Sequence, residues 1–130
     1  MAAVINLSVL AKAAQAVALK NSIDAGGAAS AIDLYSGPIG DVAGSVKLAA
    51  FAAPYPCGTT NLGSLVFGTI PSVIALANGV AAWARFKTSA GDTVADVNVS
   101  SAGGTAFVRL NTTAIVKDGP VTIATCVFEF

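Results

Sequence analysis

Apolar and polar residues follow two different periods along this chain, and the period changes at Gly26-Gly27. The segment from Leu7 to Ala25 is rich in Ala, Leu, Lys and Gln, which favour helix, and the two glycines supply a C-terminal stop. The sequence therefore predicts one helix over 7–25. Its wheel is mixed, with Leu10 and Val17 on one side and Ile23 on the other. We expect one side to contact the protein's own sheet and the other a neighbouring subunit.

After Gly27 the chain consists of short runs rich in Val, Ile, Phe and Thr, separated by Gly, Pro, Asn and Ser. This pattern is typical of an all-β region. It predicts strands over Ala31–Ser36, Ser45–Ala53, Ser64–Ile70, Ser72–Ala77, Val80–Thr88, Thr93–Ser100, Thr105–Asn111 and Val121–Phe130.

Two of these strands differ in their patterning. In Val80–Thr88, Trp83, Arg85 and Lys87 share one face, which indicates a half-exposed strand. Val121–Phe130 has apolar residues on both faces, so we expect a central, covered strand. The predicted fold is mainly β: an antiparallel two-sheet sandwich, jelly-roll-like, with one N-terminal α-helix. We expect a single domain over 1–130, with the helix over about 7–25 and the sandwich over about 31–130.

The charge content argues against nucleic acid and membrane as partners. Seven Lys and Arg balance seven Asp and Glu, so no net field attracts phosphates or anionic lipids. Leu48–Ala84 carries no charge, but its Pro and Gly residues divide it into pieces too short for a membrane helix, and we interpret it as buried strands and turns. Charged residues make up 11% of the chain, which favours a surface that faces other protein.

The residues available for catalysis are few. The chain has no histidine, the commonest general base, and we find no catalytic, cofactor or metal site in the sequence. Cys57 and Cys126 match no zinc or redox spacing, and two buried thiols are favoured over a disulfide. A covalent bridge between subunits stays open. The function is therefore expected to be non-enzymatic.

The segment AAWARFKTSAGDTVADVNVSS allows two interpretations. Trp83 with Asp92 and Asp96 could form a carbohydrate-binding platform. Alternatively, the turn at 89–92 closes a hairpin that brings Arg85 or Lys87 beside Asp96 as a cross-strand ion pair. We favour the hairpin.

Several motifs resemble a family of small structural proteins of tailed bacteriophages. The resemblance spans nearly the whole chain, and its motifs are structural. They are Ile23-Asp24-Ala25-Gly26-Gly27 at the end of the helix, Asp33-Leu34-Tyr35-Ser36-Gly37, the Ala82–Phe86 strand with Gly91 and Asp96–Val99, and the Leu110–Val116 and Gly119-Pro120-Val121 segments.

The resemblance implies a virion component, most simply a capsid decoration, cement or minor capsid protein assembled in the host bacterial cytoplasm. Its partners would be the major capsid protein or other virion proteins, and other copies of itself, with a trimer favoured. A tail, neck or baseplate component is the alternative within the same class. We expect the contacts to involve the helix, the loop at Tyr55 and the C-terminal strand. The candidate interface residues are Leu10, Val17, Tyr55, Trp83, Phe128 and Phe130.

Overall fold

The structure, a computed structural model, describes residues 8–130. A helix, α1, spans Val9–Ile23, and the Ser8 side chain caps it by accepting a 3.2 Å hydrogen bond from the N–H of Ala11. This cap satisfies one of the N–H groups that the first turn leaves without a helical partner. The predicted helix is confirmed within the described residues, whereas its expected first residue, Leu7, lies outside them.

The rest of the described chain is mainly β, as predicted. Most strands are close to their expected positions, although several are shorter. The strands are β1 Ala31–Tyr35, β2 Lys47–Ala52, β3 Gly58–Asn61, β4 Ser64–Phe67, β5 Val73–Ile74, β6 Gly79–Val80, β7 Trp83–Lys87, β8 Thr93–Ser101, β9 Val108–Leu110, β10 Ala114–Ile115, β11 Pro120–Val121 and β12 Ile123–Glu129.

Eight of these strands form one sheet in the order β2-β1-β7-β8-β9-β12-β4-β3. The pairings within it are antiparallel except for β8 with β9, which run parallel through three residue pairs starting at Val99 and Val108. This short parallel link joins two four-stranded limbs. The expected antiparallel pairing therefore describes each limb, but not the junction between them. Outside the sheet, β10 pairs with β6 and β11 with β5.

Aromatic contacts show that the sheet is strongly curled. Phe86 of β7 lies 5.4 Å from Phe67 of β4 and 5.1 Å from Phe128 of β12, measured between ring centres. Strands β7 and β4 are not neighbours in the sheet, so the limbs must face each other for these rings to meet. The main core fills the space between the limbs, and Ile23 of α1 also packs into it.

The helix packs on β3 and β4 with one side and leaves its other side exposed. Ala16 and Ile23 are fully buried, whereas Leu10 and Val17 are exposed. Apolar residues on both sides of the helix explain why the sequence shows no single apolar stripe.

The C-terminal strand confirms one expectation and corrects another. β12 lies between β9 and β4, so it is central as predicted. It is not covered on both faces, because Ala124 and Thr125 are exposed. A bulge between Ile123 and Thr125 in the pairing with β9 accounts for this local departure from strict alternation.

Candidate functional site

The polar residues of β7 form ion pairs that run across four strands. Arg85 contacts Asp96 of β8 through two hydrogen bonds, of 2.8 Å from Nε and 3.1 Å from Nη2. Lys87 and Lys47 both contact Asp33 of β1, at 2.8 and 3.3 Å. The charges thus alternate in sign from β2 through β1 and β7 to β8. We call these five residues the charge ladder.

Two cations of the charge ladder, Arg85 and Lys87, are stabilised in the charged state by their carboxylate partners. The hydrogen bond from Arg85 to Asp96 raises the pKa of Arg85, and the hydrogen bond from Lys87 to Asp33 raises the pKa of Lys87. Asp33 is almost completely buried beneath the two lysines. Both carboxylates contact cations of neighbouring strands, so the charge ladder fixes strand register.

The predicted hairpin between β7 and β8 is confirmed. Arg85 and Asp96 are direct cross-strand partners, and the turn closes through a 2.8 Å bond from the N–H of Thr88 to the carbonyl of Asp92. Lys87 does not share Asp96, since it reaches across to Asp33 of β1 instead.

Trp83 occupies a closed position on the same face of the sheet. Its ring stacks on Tyr35 at 4.6 Å between centres, and the Arg85 guanidinium lies 5.4 Å from the ring centre. The indole N–H donates to the carbonyl of Ser36 and to the hydroxyl of Ser45, at 3.1 and 3.2 Å. These two residues belong to the connection between β1 and β2, which covers the ring.

Two of the six candidate interface residues are therefore corrected. Trp83 has no exposed surface, and Phe128 is 3% exposed within the aromatic core. Neither side chain can contact a partner or a sugar ring in this conformation, because the β1–β2 connection and the core occupy the space around them. This finding also removes the platform on which carbohydrate binding was based. The other four, Leu10, Val17, Tyr55 and Phe130, are exposed.

The two cysteines are free, buried thiols, as favoured from the sequence. Burial, with the nearby Asp24 carboxylate, raises the pKa of Cys57 to about 12. Burial also raises the pKa of Cys126. Because the thiolate is the nucleophilic form, neither side chain is activated for covalent catalysis.

A metal centre is likewise not formed by the residues that the structure describes. Over 8–130, no group of three or more His, Cys, Asp or Glu side chains comes together in a way that could hold an ion.

The most distinctive surface feature is a set of exposed apolar residues on two paired segments, 73–80 and 114–121, beside the exposed Lys117 and Asp118. Pairing of Ile74 with Pro120 and of Val80 with Ala114 holds the segments together at both ends. Between these points, a hydrogen bond of 2.8 Å joins the N–H of Ala75 to the carbonyl of Gly119. We call the exposed residues here the ribbon patch; they are Ile74, Leu76, Val80 and Val116, each between 53% and 67% exposed.

The ribbon patch corrects one interpretation of the sequence. Ile74, Leu76 and Val80 belong to the uncharged segment Leu48–Ala84, which was interpreted as buried. Large apolar residues without charged neighbours were compatible with burial or with contact to another protein. One feature of the sequence indicates that this segment is not a continuous buried strand. Asn78-Gly79 is a turn pair, and it separates Leu76 from Val80.

Two further exposed apolar residues, Leu10 and Phe130, lie near the C-terminal end of β12. Ile123–Glu129 starts directly after the segment that pairs with β5, and it is followed by Phe130, whose N–H donates to the carbonyl of Gly63. A Cβ atom placed on Gly63 would lie 2.9 Å from the Cβ of Lys12, so the start of α1 is at this end. A seven-residue strand, about 20 Å long, thus lies between the start of α1 and the ribbon patch.

Comparison of the chain with protein-family models, with curated proteins and with solved structures finds no match. Over residues 8–130, no helix combines the length and the apolar character that crossing a membrane requires.

Proposed function

We propose that this chain is a non-enzymatic structural protein of a bacteriophage particle, a capsid decoration, cement or minor capsid protein. The observation that carries the proposal is the ribbon patch, with four large aliphatic side chains more than half exposed on a paired scaffold. Exposed apolar groups that lie together on a folded surface are characteristic of protein–protein contacts. The resemblance of the chain's structural motifs to phage structural proteins names the class of partner.

The physical mechanism is burial of apolar area against the major capsid protein. Full burial of an aliphatic side chain contributes about 1.5–3 kcal/mol, so covering the exposed part of each contributes about 1 kcal/mol. Four such residues give a modest contact once the loss of translational and rotational freedom is included. A cement protein compensates by contacting the shell at more than one place, because contacts made by the same molecule reinforce one another.

The placement of the surfaces supports the cement mechanism. A cement protein must contact at least two neighbours, and the ribbon patch and the start of α1 lie toward opposite ends of β12. Contact residues would be Leu10, Val17 and Phe130 at the helix end, Tyr55 on its loop, and the ribbon patch at the other end. Homo-oligomers, with a trimer among them, belong to this proposal.

The finer description of the fold is also a proposal. The two limbs act as the two layers of a sandwich, jelly-roll-like, in which the short parallel link between β8 and β9 forms a corner. An experimental structure in which the facing limbs share a core without a further layer would support it.

The proposal is tested with purified particles. Quantitative mass spectrometry of gradient-purified virions is expected to find this chain at a copy number comparable to that of the major capsid protein. Absence of the chain would overturn the proposal, whereas a few copies in ring-sized multiples would favour a tail, neck or baseplate component.

A set of variants then tests the surface. Ile74→Glu and Val80→Glu place a charge in the ribbon patch and are expected to abolish incorporation into particles while leaving the fold intact. Val42→Glu, a change at an exposed valine of the β1–β2 connection, serves as the matched control. Normal incorporation of both ribbon variants would contradict the assignment of this surface.

A further inference from the structure

The exposed side of α1 has the spacing of a helix-pairing seam. Leu10, Ala14, Val17 and Asn21 are separated by four, three and four residues, and all four are exposed. At about 100° per residue they fall within an arc of about 60°. We call these four residues the outer seam. On the opposite side of the helix are the residues directed toward the protein's own sheet, which include the buried Ala16 and Ile23.

The borders of the outer seam allow another helix to come close. In a heptad description, Leu10 and Val17 take d positions, and Ala14 and Asn21 take a positions. The flanking e and g positions hold Ala11, Ala13, Ala18 and Lys20. Alanine at three of these four positions leaves no long side chain to separate two helix backbones. α1 is already folded on β3 and β4, so pairing requires no further ordering of the helix.

Electrostatics allow a second copy of the same chain to be the occupant. The outer seam contains no charged residue, so two copies meet without like-charge repulsion. The charged residue at its border, Lys20, is paired with Asp24 at 3.1 Å. The chain as a whole has a formal net charge of zero, so no long-range repulsion opposes self-association. A partner selected by charge would find nothing complementary on this surface.

The sizes of the side chains favour an antiparallel arrangement. In an antiparallel pair with two-fold symmetry, Val17 faces Ala14 of the second copy, and Leu10 faces Asn21. Each layer then joins a larger side chain to a smaller one, which keeps the helices at a constant separation. A parallel pair would place Ala14 against Ala14 and Leu10 against Leu10, alternating a gap with a bulge. Antiparallel alignment also opposes the two helix dipoles.

We propose that the outer seam of α1 pairs with the outer seam of a second copy, forming an antiparallel two-fold homodimer. The inference deepens the proposed function, in which copies contact one another, but it concerns a different surface from the ribbon patch. Its failure can therefore be recognised separately. A dimer that never enters virions would refute the proposed function alone, whereas a virion protein that is monomeric in solution would refute this inference alone.

The test exploits the difference between the two alignments. Sedimentation equilibrium over a dilution series is expected to give the mass of a dimer for the wild type. Val17→Glu and Ala14→Lys, each alone, are expected to weaken dimerisation by about tenfold or more, because each buries an unpaired charge. Gln15→Glu, an exposed change on the same helix outside the seam, should leave the dimer unchanged.

Mixing the two weakened variants gives the decisive result. In the antiparallel pair, the ammonium introduced by Ala14→Lys in one chain faces the carboxylate introduced by Val17→Glu in the other. The second contact between positions 14 and 17 keeps its native alanine and valine, so a heterodimer should form. A parallel pair brings together no such charges and gains nothing from mixing. A monomeric wild type, a trimer, or failure of the mixture to recover dimerisation would each overturn the inference. Circular dichroism of each variant verifies that it is folded.

Discussion

The indole N–H of Trp83 donates a 3.1 Å hydrogen bond to the carbonyl of Ser36, forty-seven positions earlier in the chain. This bond fastens the connection between β1 and β2 over the ring. In the sequence, the segment around Trp83 most resembles a binding site, but in the structure the residue has a structural role. Trp83 therefore stabilises the fold instead of presenting a binding surface.

Trp83→Phe is expected to lower the free energy of unfolding by about 1–3 kcal/mol. The change removes the donor for Ser36 and Ser45 and leaves part of the ring's volume empty. Chemical denaturation measures the loss. Tyr55→Ala removes an exposed aromatic side chain and should change stability by less than about 0.5 kcal/mol. Equal effects of the two changes would show that the hydrogen bonds and packing of Trp83 contribute no more stability than an exposed aromatic side chain does.

The neighbourhood of Trp83 shows what sequence patterning could predict. The pair Arg85–Asp96 was predictable because a turn between two alternating strands fixes which residues face each other. Burial of Trp83 was not, since its cover comes from the β1–β2 connection, which has no regular period. Alternation identifies the face on which a side chain lies, but it does not identify what packs on that face.

The same limit applies to the rest of the molecule. The helix and its two-sided character follow from local composition, whereas which side is buried, that of Ile23 and not that of Leu10, is known only from the structure. The parallel pairing of Val99 with Val108 depends on how the chain returns between them, which local residue preferences do not encode. Exposure of Ile74 depends on the packing of a whole paired segment.

Asp33→Asn is expected to lower the free energy of unfolding by about 1–2 kcal/mol. The amide cannot neutralise Lys87 and Lys47, and the partly exposed lysines moderate the cost by turning toward water. Asp92→Asn, at an exposed turn position, is the control. A double-mutant cycle with Lys87→Met measures the coupling directly. Strictly additive effects of Asp33→Asn and Lys87→Met would contradict an energetic role for the pair.

The thiol of Cys57 should be unreactive in the folded protein at about pH 8, because its pKa is raised from 9.0 to about 12. A disulfide reagent is expected to label Cys57 and Cys126 slowly in the native state and quickly in denaturant. The raised pKa also predicts a pH dependence. Between about pH 9 and pH 12 the unfolded chain has released the proton of Cys57 while the folded chain retains it, so stability falls as pH rises.

Cys57→Ala tests that pH dependence. The free energy of unfolding of this variant should fall less steeply above about pH 9 than that of the wild type, whatever its stability at neutral pH. Denaturation curves collected from about pH 8 to about pH 11 give both slopes. Identical slopes would show that burial does not raise the pKa of Cys57, and rapid native labelling of both thiols would show that neither is protected by burial.

The hairpin between β3 and β4 places the wrong residue type at a left-handed position. Leu62 has a φ of 54°, a region that disfavours a leucine and suits glycine or asparagine. The glycine beside it, Gly63, cannot be exchanged freely, since a Cβ there would lie 2.9 Å from the Cβ of Lys12 on α1. Leu62→Asn is therefore expected to raise the free energy of unfolding by about 0.5–1 kcal/mol, because asparagine tolerates this conformation better and the leucine side chain is 64% exposed. Gly63→Ala should lower it, because the helix must move to make room. Thermal and urea denaturation of both variants measure the two opposite shifts, and a destabilised Leu62→Asn would mean that the exposed leucine contributes packing that outweighs its backbone strain.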